Sequence, residues 1–245
     1  MAGRWIPLES NPDWAEKAGL VTSLAKFGDI YGLDDELLAL VPQPVHAVIL
    51  LFPITQAYEE ARKEEDEIIE EDGQPFVDPT IVWIKQTIGN ACGTIGMLHA
   101  LINSPVTFTP ESPLAQFIDQ CKGITPEERA KVLETTPLFA NIHAEAATEG
   151  QSAVPSSSIN TDLHFTCFIK APSAPDRQEV GGDGSDYRLI ELDGRRGGPV
   201  DRGDCTDTDL LSAAIQVVRS RLVLANGSVS FSMIALSGTG NDGSP

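Results

Sequence analysis

The run Val45–Phe52 (VHAVILLF), stopped by Pro53, sets the architecture before any other segment does. It lacks the polar alternation of a half-solvated strand, so it suits a central strand covered on both faces. It is far too short to span a bilayer. Around it, helix signals come mainly early and strand signals mainly late. Asn11-Pro12-Asp13 combines an N-cap, a first-turn proline and a carboxylate at the positive helix end, which predicts a helix to about Lys26. A short helix is expected at Asp34–Leu40, a long acidic one over Thr55–Glu71 and a buried one over Ala91–Ile102. Others are expected over Pro110–Cys121, from Thr125 to about Leu133, and over Asp207–Leu222. Thr125 and Glu128 stand at capping-box spacing. Gly93 and Gly96 inside the buried helix suggest close packing against another element. Leu163–Ala171, Tyr187–Asp193 and Val229–Leu236 read as strands. The layout is α+β, with helices flanking a mostly antiparallel sheet, in one domain over residues 1–245.

Charge narrows the partners. Lys and Arg number 17 against 36 Asp and Glu, a formal net charge of −19. Phosphate backbones and anionic bilayers need a cationic footprint, so neither a nucleic acid nor a membrane is expected to bind. The acidic stretch EEARKEEDEIIEED (Glu59–Asp72) reads as a solvated helix face, a reading compatible with drawing in a basic partner. Four cysteines without a CxxC pair make neither a disulfide scaffold nor a structural zinc site. They suit a reducing cytoplasm, and the opening MAGRWIPLESNPDW lacks the apolar stretch of a secretory leader. No cofactor or metal is implied. The long polar segment Ala144–Asp162, the tip Pro172–Asp186 and the tail 238–245 lack signals for regular structure.

Cys92 opens the buried helix, where the helix dipole and free N–H groups lower a thiol pKa. The alternative is a small buried hydrophobe, which also covers Cys121, Cys167 and Cys205. A nucleophilic cysteine needs a base, an orienting group and an oxyanion donor. His46, in the central strand, reads as a core histidine. His99 lies about 10 Å along the helix from Cys92, too far for a direct hydrogen bond. His143 lies near a helix end. His164 starts a strand. If Leu163–Ala171 and Tyr187–Asp193 form an antiparallel hairpin, the start of one lies beside the end of the other. His164 and Asp193 then become neighbours, with the second imidazole nitrogen free for Cys92. Gln86 is either a side-chain donor for an oxyanion hole or a polar residue with a local bond.

With these residues in hand, QTIGNACGTIG (Gln86–Gly96) resembles the active-site signature of the ubiquitin carboxyl-terminal hydrolases, papain-like thiol proteases. RWIPLESNP (Arg4–Pro12), DIYGLDDELLALVPQPVHAVILLFPIT (Asp29–Thr55), EGQSAVPS (Glu149–Ser156), LHF (Leu163–Phe165), ELDGR (Glu191–Arg195) and FSMIALS (Phe231–Ser237) follow the family's order. The resemblance is to the short, single-domain subclass. It implies a knotted α/β sandwich and hydrolysis of small adducts or short peptides from the terminal glycine of ubiquitin through an acyl-enzyme. Cys92 would be the nucleophile, His164 the base and acid, Asp193 the orienter and Gln86 the oxyanion donor. A crossover loop would occupy about Ala146–Thr161. Leu8 and Glu9 would touch ubiquitin, and Asp29 would meet its basic tail. A ubiquitin-like modifier of the NEDD8 type is the alternative substrate, and a non-catalytic ubiquitin-binding module is a further one. A cytoplasmic or nuclear monomer is expected. The sequence departs from the family pattern in the Pro172–Asp186 insertion and in DGRRGGPV (Asp193–Val200) after the triad aspartate.

Overall fold

The computed structural model describes residues 13–136, 139, 141, 144, 162–173, 187–225 and 230–239. Leu8, Glu9, His143, the expected crossover loop 146–161, the insertion beyond Ser173 and the last six residues lie outside them. The central strand is β2 (Val45–Pro53), and it pairs with two neighbours. One is β3 (Leu163–Pro172) and the other β6 (Ser232–Gly238). With β1 (Ala25–Asp29), β4 (Tyr187–Leu192) and β5 (Val200–Cys205) they form a six-stranded sheet in the order β1-β6-β2-β3-β4-β5. Every pairing is antiparallel.

The sheet divides two cores, which is why β2 has no polar side. Ala47 and Ile49 face a cluster with Trp14, Leu98, Leu101 and Phe117. Val48, Leu50 and Phe52 face another with Tyr58, Leu211, Ile215 and Val218. The first layer contains α1 (Asp13–Ala18), α4 (Cys92–Ile102), α5 (Pro113–Cys121) and α6 (Pro126–Thr135). The second contains α3 (Gln56–Asp72) and α7 (Leu210–Leu224). The four-residue α2 (Asp35–Leu38) borders it. The capping box closes as expected: Glu128 N donates to Thr125 Oγ1 at 3.2 Å and Thr125 N to Glu128 Oε2 at 2.8 Å.

Several expectations change. The first helix stops at Ala18 because Gly19 takes φ 115°, and a Cβ there would meet the Ser112 side chain at 2.2 Å. The chain then turns into β1, whose ladder to β6 replaces the rest of the expected helix. Strand β5 (VDRGDC) was invisible to apolar patterning because it is an edge strand held partly by charge: Arg188 of β4 donates to Asp201 at 2.8 and 2.6 Å and also pairs with Asp204. His46 is half-buried near the strand start rather than in the core. The close packing expected of the α4 glycines is not needed at Gly96: a Cβ there would sit 3.6 Å from Phe165 Cβ and 3.7 Å from Ile49 Cγ2, ordinary contact with room for a methyl.

Candidate active site

The expected hairpin carries the site. In the β3–β4 ladder Cys167 faces Leu192, so the ladder runs out where Asp193 begins and His164 still lies on β3. His164 Nε2 and Asp193 Oδ1 are 2.7 Å apart, and both side chains are buried. Arg195 N donates to the same Oδ1 at 2.8 Å, closing a tight turn over the carboxylate. Phe52, opposite His164 on β2, packs its ring against the imidazole at 5.8 Å, edge to face. With Nε2 taken by Asp193, Nδ1 is left for Cys92.

Cys92 is the first residue of α4. Asn90, in the left-handed region at φ 63°, and Ala91, at φ −86° and ψ 1°, swing the chain into the helix. Burial pushes the thiol pKa up, but the hydrogen bond and charge of His164 and the N–H groups of Phe165 and Gly93 outweigh it, leaving the thiol below its ordinary value. The partner moves the other way. Burial lowers the His164 pKa, yet the charge and hydrogen bond of Asp193 and the nearby thiol raise it to about 9. Asp193 is pushed up by burial and pulled down further by His164 and the Arg195 N–H, so it stays ionised. These are the electrostatics of a thiolate–imidazolium pair steadied by a carboxylate. Elsewhere, burial raises the thiols: Cys121 to about 11, Cys205 to about 12, and Cys167 further.

A second strip of chain is latched to the turn after β4. Gln86 N donates to Gly194 O at 2.8 Å, Trp83 Nε1 to Asp193 O at 3.1 Å, and Lys85 Nζ to Arg196 O at 2.8 Å. Gly194 is needed for this closeness, since a Cβ there would meet Gln86 Cβ at 2.9 Å, Gln86 N at 3.2 Å and Ile84 O at 3.2 Å. His99, fully buried on α4, spans the strip: its Nε2 accepts from Ile84 N at 2.9 Å and its Nδ1 lies 3.3 Å from Leu192 O. Only the neutral Nδ1–H tautomer satisfies both, and burial holds the His99 pKa down to about 4. The side chain of Gln86 makes one long bond, Nε2 to Ile88 O at 3.3 Å, and its Oε1 is buried without a partner.

Behind Asp193 stands a charged frame that no sequence motif marks. Glu191, fully buried, accepts from Thr166 Oγ1 at 2.9 Å, Arg202 Nε at 2.6 Å and Arg221 Nη2 at 2.8 Å. Helix α3 reaches the same turn: Glu59 pairs with Arg195 at 3.0 Å, and Glu65 and Asp66 with Arg196 at 2.5 and 2.8 Å. The acidic helix therefore has two faces. Glu59, Glu65 and Asp66 grip the turn after β4, while Glu60, Glu64, Glu67, Glu70 and Glu71 are exposed. Arg196 and Arg202 had no motif to mark them; for Arg196 the one clue was the charge in DGRRGGPV. Of the expected substrate contacts, Leu8 and Glu9 lie outside the described residues. Asp29 is exposed at the end of β1, separated from β3 by β6 and β2.

A helix-opening thiol facing a carboxylate-held imidazole across a helix–sheet interface defines the class: a papain-like cysteine hydrolase. The comparisons narrow it. The family model for ubiquitin carboxyl-terminal hydrolases, family 1, matches residues 5–223. The chain is 40% identical over 240 residues to ubiquitin carboxyl-terminal hydrolase 3 of Arabidopsis thaliana, covering 96% of this chain and 94% of that one. It is 36% identical over 235 residues to ubiquitin carboxyl-terminal hydrolase isozyme L1 of Rattus norvegicus, covering 94% and 96%. The fold matches the catalytic domain of Trichinella spiralis UCH37, solved bound to ubiquitin vinyl methyl ester, with a TM-score of 0.67 at 20% identity and 96% coverage of each chain. The chain belongs to the ubiquitin carboxyl-terminal hydrolase family, a family of cysteine-type deubiquitinases.

Proposed function

We propose that the protein releases small adducts or short peptides from the carboxyl-terminal glycine of ubiquitin, with Cys92 as nucleophile. The Cys92 thiolate attacks the carbonyl carbon of that glycine. The negative charge collects on the carbonyl oxygen, where the Cys92 N–H and Gln86 Nε2 donate to it. The long 3.3 Å bond from Gln86 to Ile88 O is a weak one to exchange for the oxyanion. His164 gives its Nδ1 proton to the departing amine or thiol as the C–N or C–S bond breaks, leaving ubiquitin as a thioester on Cys92. Neutral His164 then takes a proton from water, which attacks the thioester and frees the carboxylate and the thiol. Asp193 holds the ring and favours the imidazolium throughout. The observation that carries this reading is the 2.7 Å His164–Asp193 bond beside a thiol with a lowered pKa.

The substrate reading is supported by the family and by charge. A chain of net charge −19 suits a basic peptide tail, and Asp29 is an exposed carboxylate on the element expected to meet it. Hydrolysis of a fluorogenic amide on the ubiquitin carboxyl terminus tests the whole proposal, with the matching NEDD8 derivative run at the same salt. Turnover of the ubiquitin derivative and its loss in Cys92→Ala, by about a thousandfold or more, is expected. Equal turnover by Cys92→Ala would remove Cys92 as nucleophile, and faster turnover of the NEDD8 derivative would reassign the substrate.

A further inference from the structure

A cavity of about 190 Å³ lies between α3, α7, the turn after Asp193 and β5; its charged and phenolic lining is Tyr58, Arg62, Glu65, Arg196, Arg202 and Arg221, beside Ser220, whose hydroxyl is bonded to Val217 O. Three buried polar atoms of that lining lack a hydrogen-bond partner: the Tyr58 hydroxyl, Arg62 Nε and Arg221 Nη1. Arg196 Nη2 is similar, lying 2.5 Å from Asp66 Oδ1 without hydrogen-bond geometry. Buried donors are almost always satisfied, so a cluster of orphans around one space points to something that fills it. All of these groups can donate. The guanidiniums have no acceptor capacity, and burial raises the Tyr58 pKa, keeping the hydroxyl protonated.

Charge selects the sign of the occupant. Among the described residues Arg62, Arg195, Arg196, Arg202 and Arg221 form ion pairs with Glu59, Glu65, Asp66 and Glu191, five cations to four anions; the Asp193 carboxylate, whose charge also reaches Tyr58 and Arg221, is matched by His164. Each carboxylate of those ion pairs already answers at least one guanidinium. A cation is repelled, and an apolar group would leave the donors bare. The space exceeds one water, whose share of liquid volume is about 30 Å³. Guanidinium and hydroxyl donors drawn from two helices suit a tetrahedral oxyanion better than a planar carboxylate, which is matched by one fork.

We propose that this cavity is a binding site for a small tetrahedral oxyanion of the phosphate class, with Tyr58, Arg62 and Arg221 as donors. The site lies behind the catalytic centre. Arg196 follows Asp193 by three residues. Tyr58 packs edge-on against Phe52 at 4.8 Å, and Phe52 packs on His164. The Arg221 guanidinium covers the Tyr58 ring at 4.8 Å. A bound oxyanion therefore ties α3 and α7 to the turn that carries Asp193, and it stabilises the native state by mass action.

Calorimetric titration and thermal unfolding of the intact protein with inorganic phosphate test this, at constant ionic strength set with chloride. Saturable one-to-one binding and a rise in Tm that chloride does not reproduce are expected. Adenosine monophosphate serves as a phosphomonoester arm: binding by both ligands assigns the site to phosphoryl groups in general, and binding by inorganic phosphate alone to the free ion. Tyr58→Phe deletes a hydroxyl that has no partner in the fold, and Arg62→Gln changes a side chain that pairs only with its own helix. Each is expected to weaken phosphate binding about tenfold, with Arg62→Lys recovering part of the loss. Phosphate no better than chloride would leave water as the filling and overturn the proposal. So would wild-type phosphate affinity in both Tyr58→Phe and Arg62→Gln, which would place the ion elsewhere.

Discussion

A thiol is a weak nucleophile until it loses its proton, and at Cys92 burial and the imidazole pull in opposite directions. The imidazole wins, so Cys92 is expected to react with iodoacetamide at pH 7 well ahead of Cys121, Cys167 and Cys205, whose pKa values burial raises. Peptide mapping of the alkylated protein checks this. His164 gives the pH profile its alkaline edge: its proton is lost as pH rises through about 9, and turnover falls with it. The stabilising His164–Asp193 pair follows the same sign, fully present below pH 6.5 and lost through about 9. Asp193→Asn removes the charge that raises His164, so the alkaline edge should move to lower pH. His99 runs opposite. It is held neutral down to about pH 4, so unfolding takes up a proton between pH 6.5 and 4 and stability falls there by up to about 1.4 kcal/mol per pH unit. The His99 ring resonances should stay flat from pH 8 to 5 in an NMR titration; a midpoint near 6.5 would mean that the strip it spans is open to solvent. Gly194→Ala places a methyl against Gln86 at 2.9 Å and is expected to cost about 1–3 kcal/mol in a denaturant melt.

Among the elements, the β3–β4 hairpin, helix α4 and the inner face of α3 converge on one turn. Glu191, one strand position inside that turn, anchors it. Glu191→Ala leaves Arg202 and Arg221 buried without their carboxylate and should lose about 3–5 kcal/mol of stability. The exposed Glu64→Gln on the same acidic helix should change it by less than about 0.5 kcal/mol. This contrast also marks what the sequence could disclose. Strand β2 was readable because both its faces are apolar, and the hairpin because its two strands are apolar at either end of a polar tip. The meeting of His164 and Asp193 followed from antiparallel geometry alone. Strands β1 and β5 were not readable: one is short, with two buried side chains, and the other is held partly by Asp–Arg pairs rather than an apolar face. The Trp83–Gln86 latch was hidden for a similar reason. Its bonds run from a backbone N–H, a ring N–H and the Lys85 ammonium to carbonyls about a hundred residues away, which no local pattern records.

Across the whole molecule, a single sheet separates two apolar layers, and the proposed chemistry sits where one layer's helix α4 meets the sheet's hairpin. The chain carries a net charge of −19, so association with a basic partner should slow as salt rises, chiefly through the on-rate; stopped-flow binding of ubiquitin to Cys92→Ser at two ionic strengths measures this. On the proposed mechanism Cys92 alone, activated by His164, forms a thioester with the carboxyl end of ubiquitin, or a thioether with an electrophile placed there. Ubiquitin carrying a carboxyl-terminal vinyl methyl ester, mixed with the folded protein and followed by peptide mass spectrometry, tests it directly. One adduct, on Cys92 and lost in His164→Ala, is the predicted result; no adduct, or one on Cys121, Cys167 or Cys205, would contradict it.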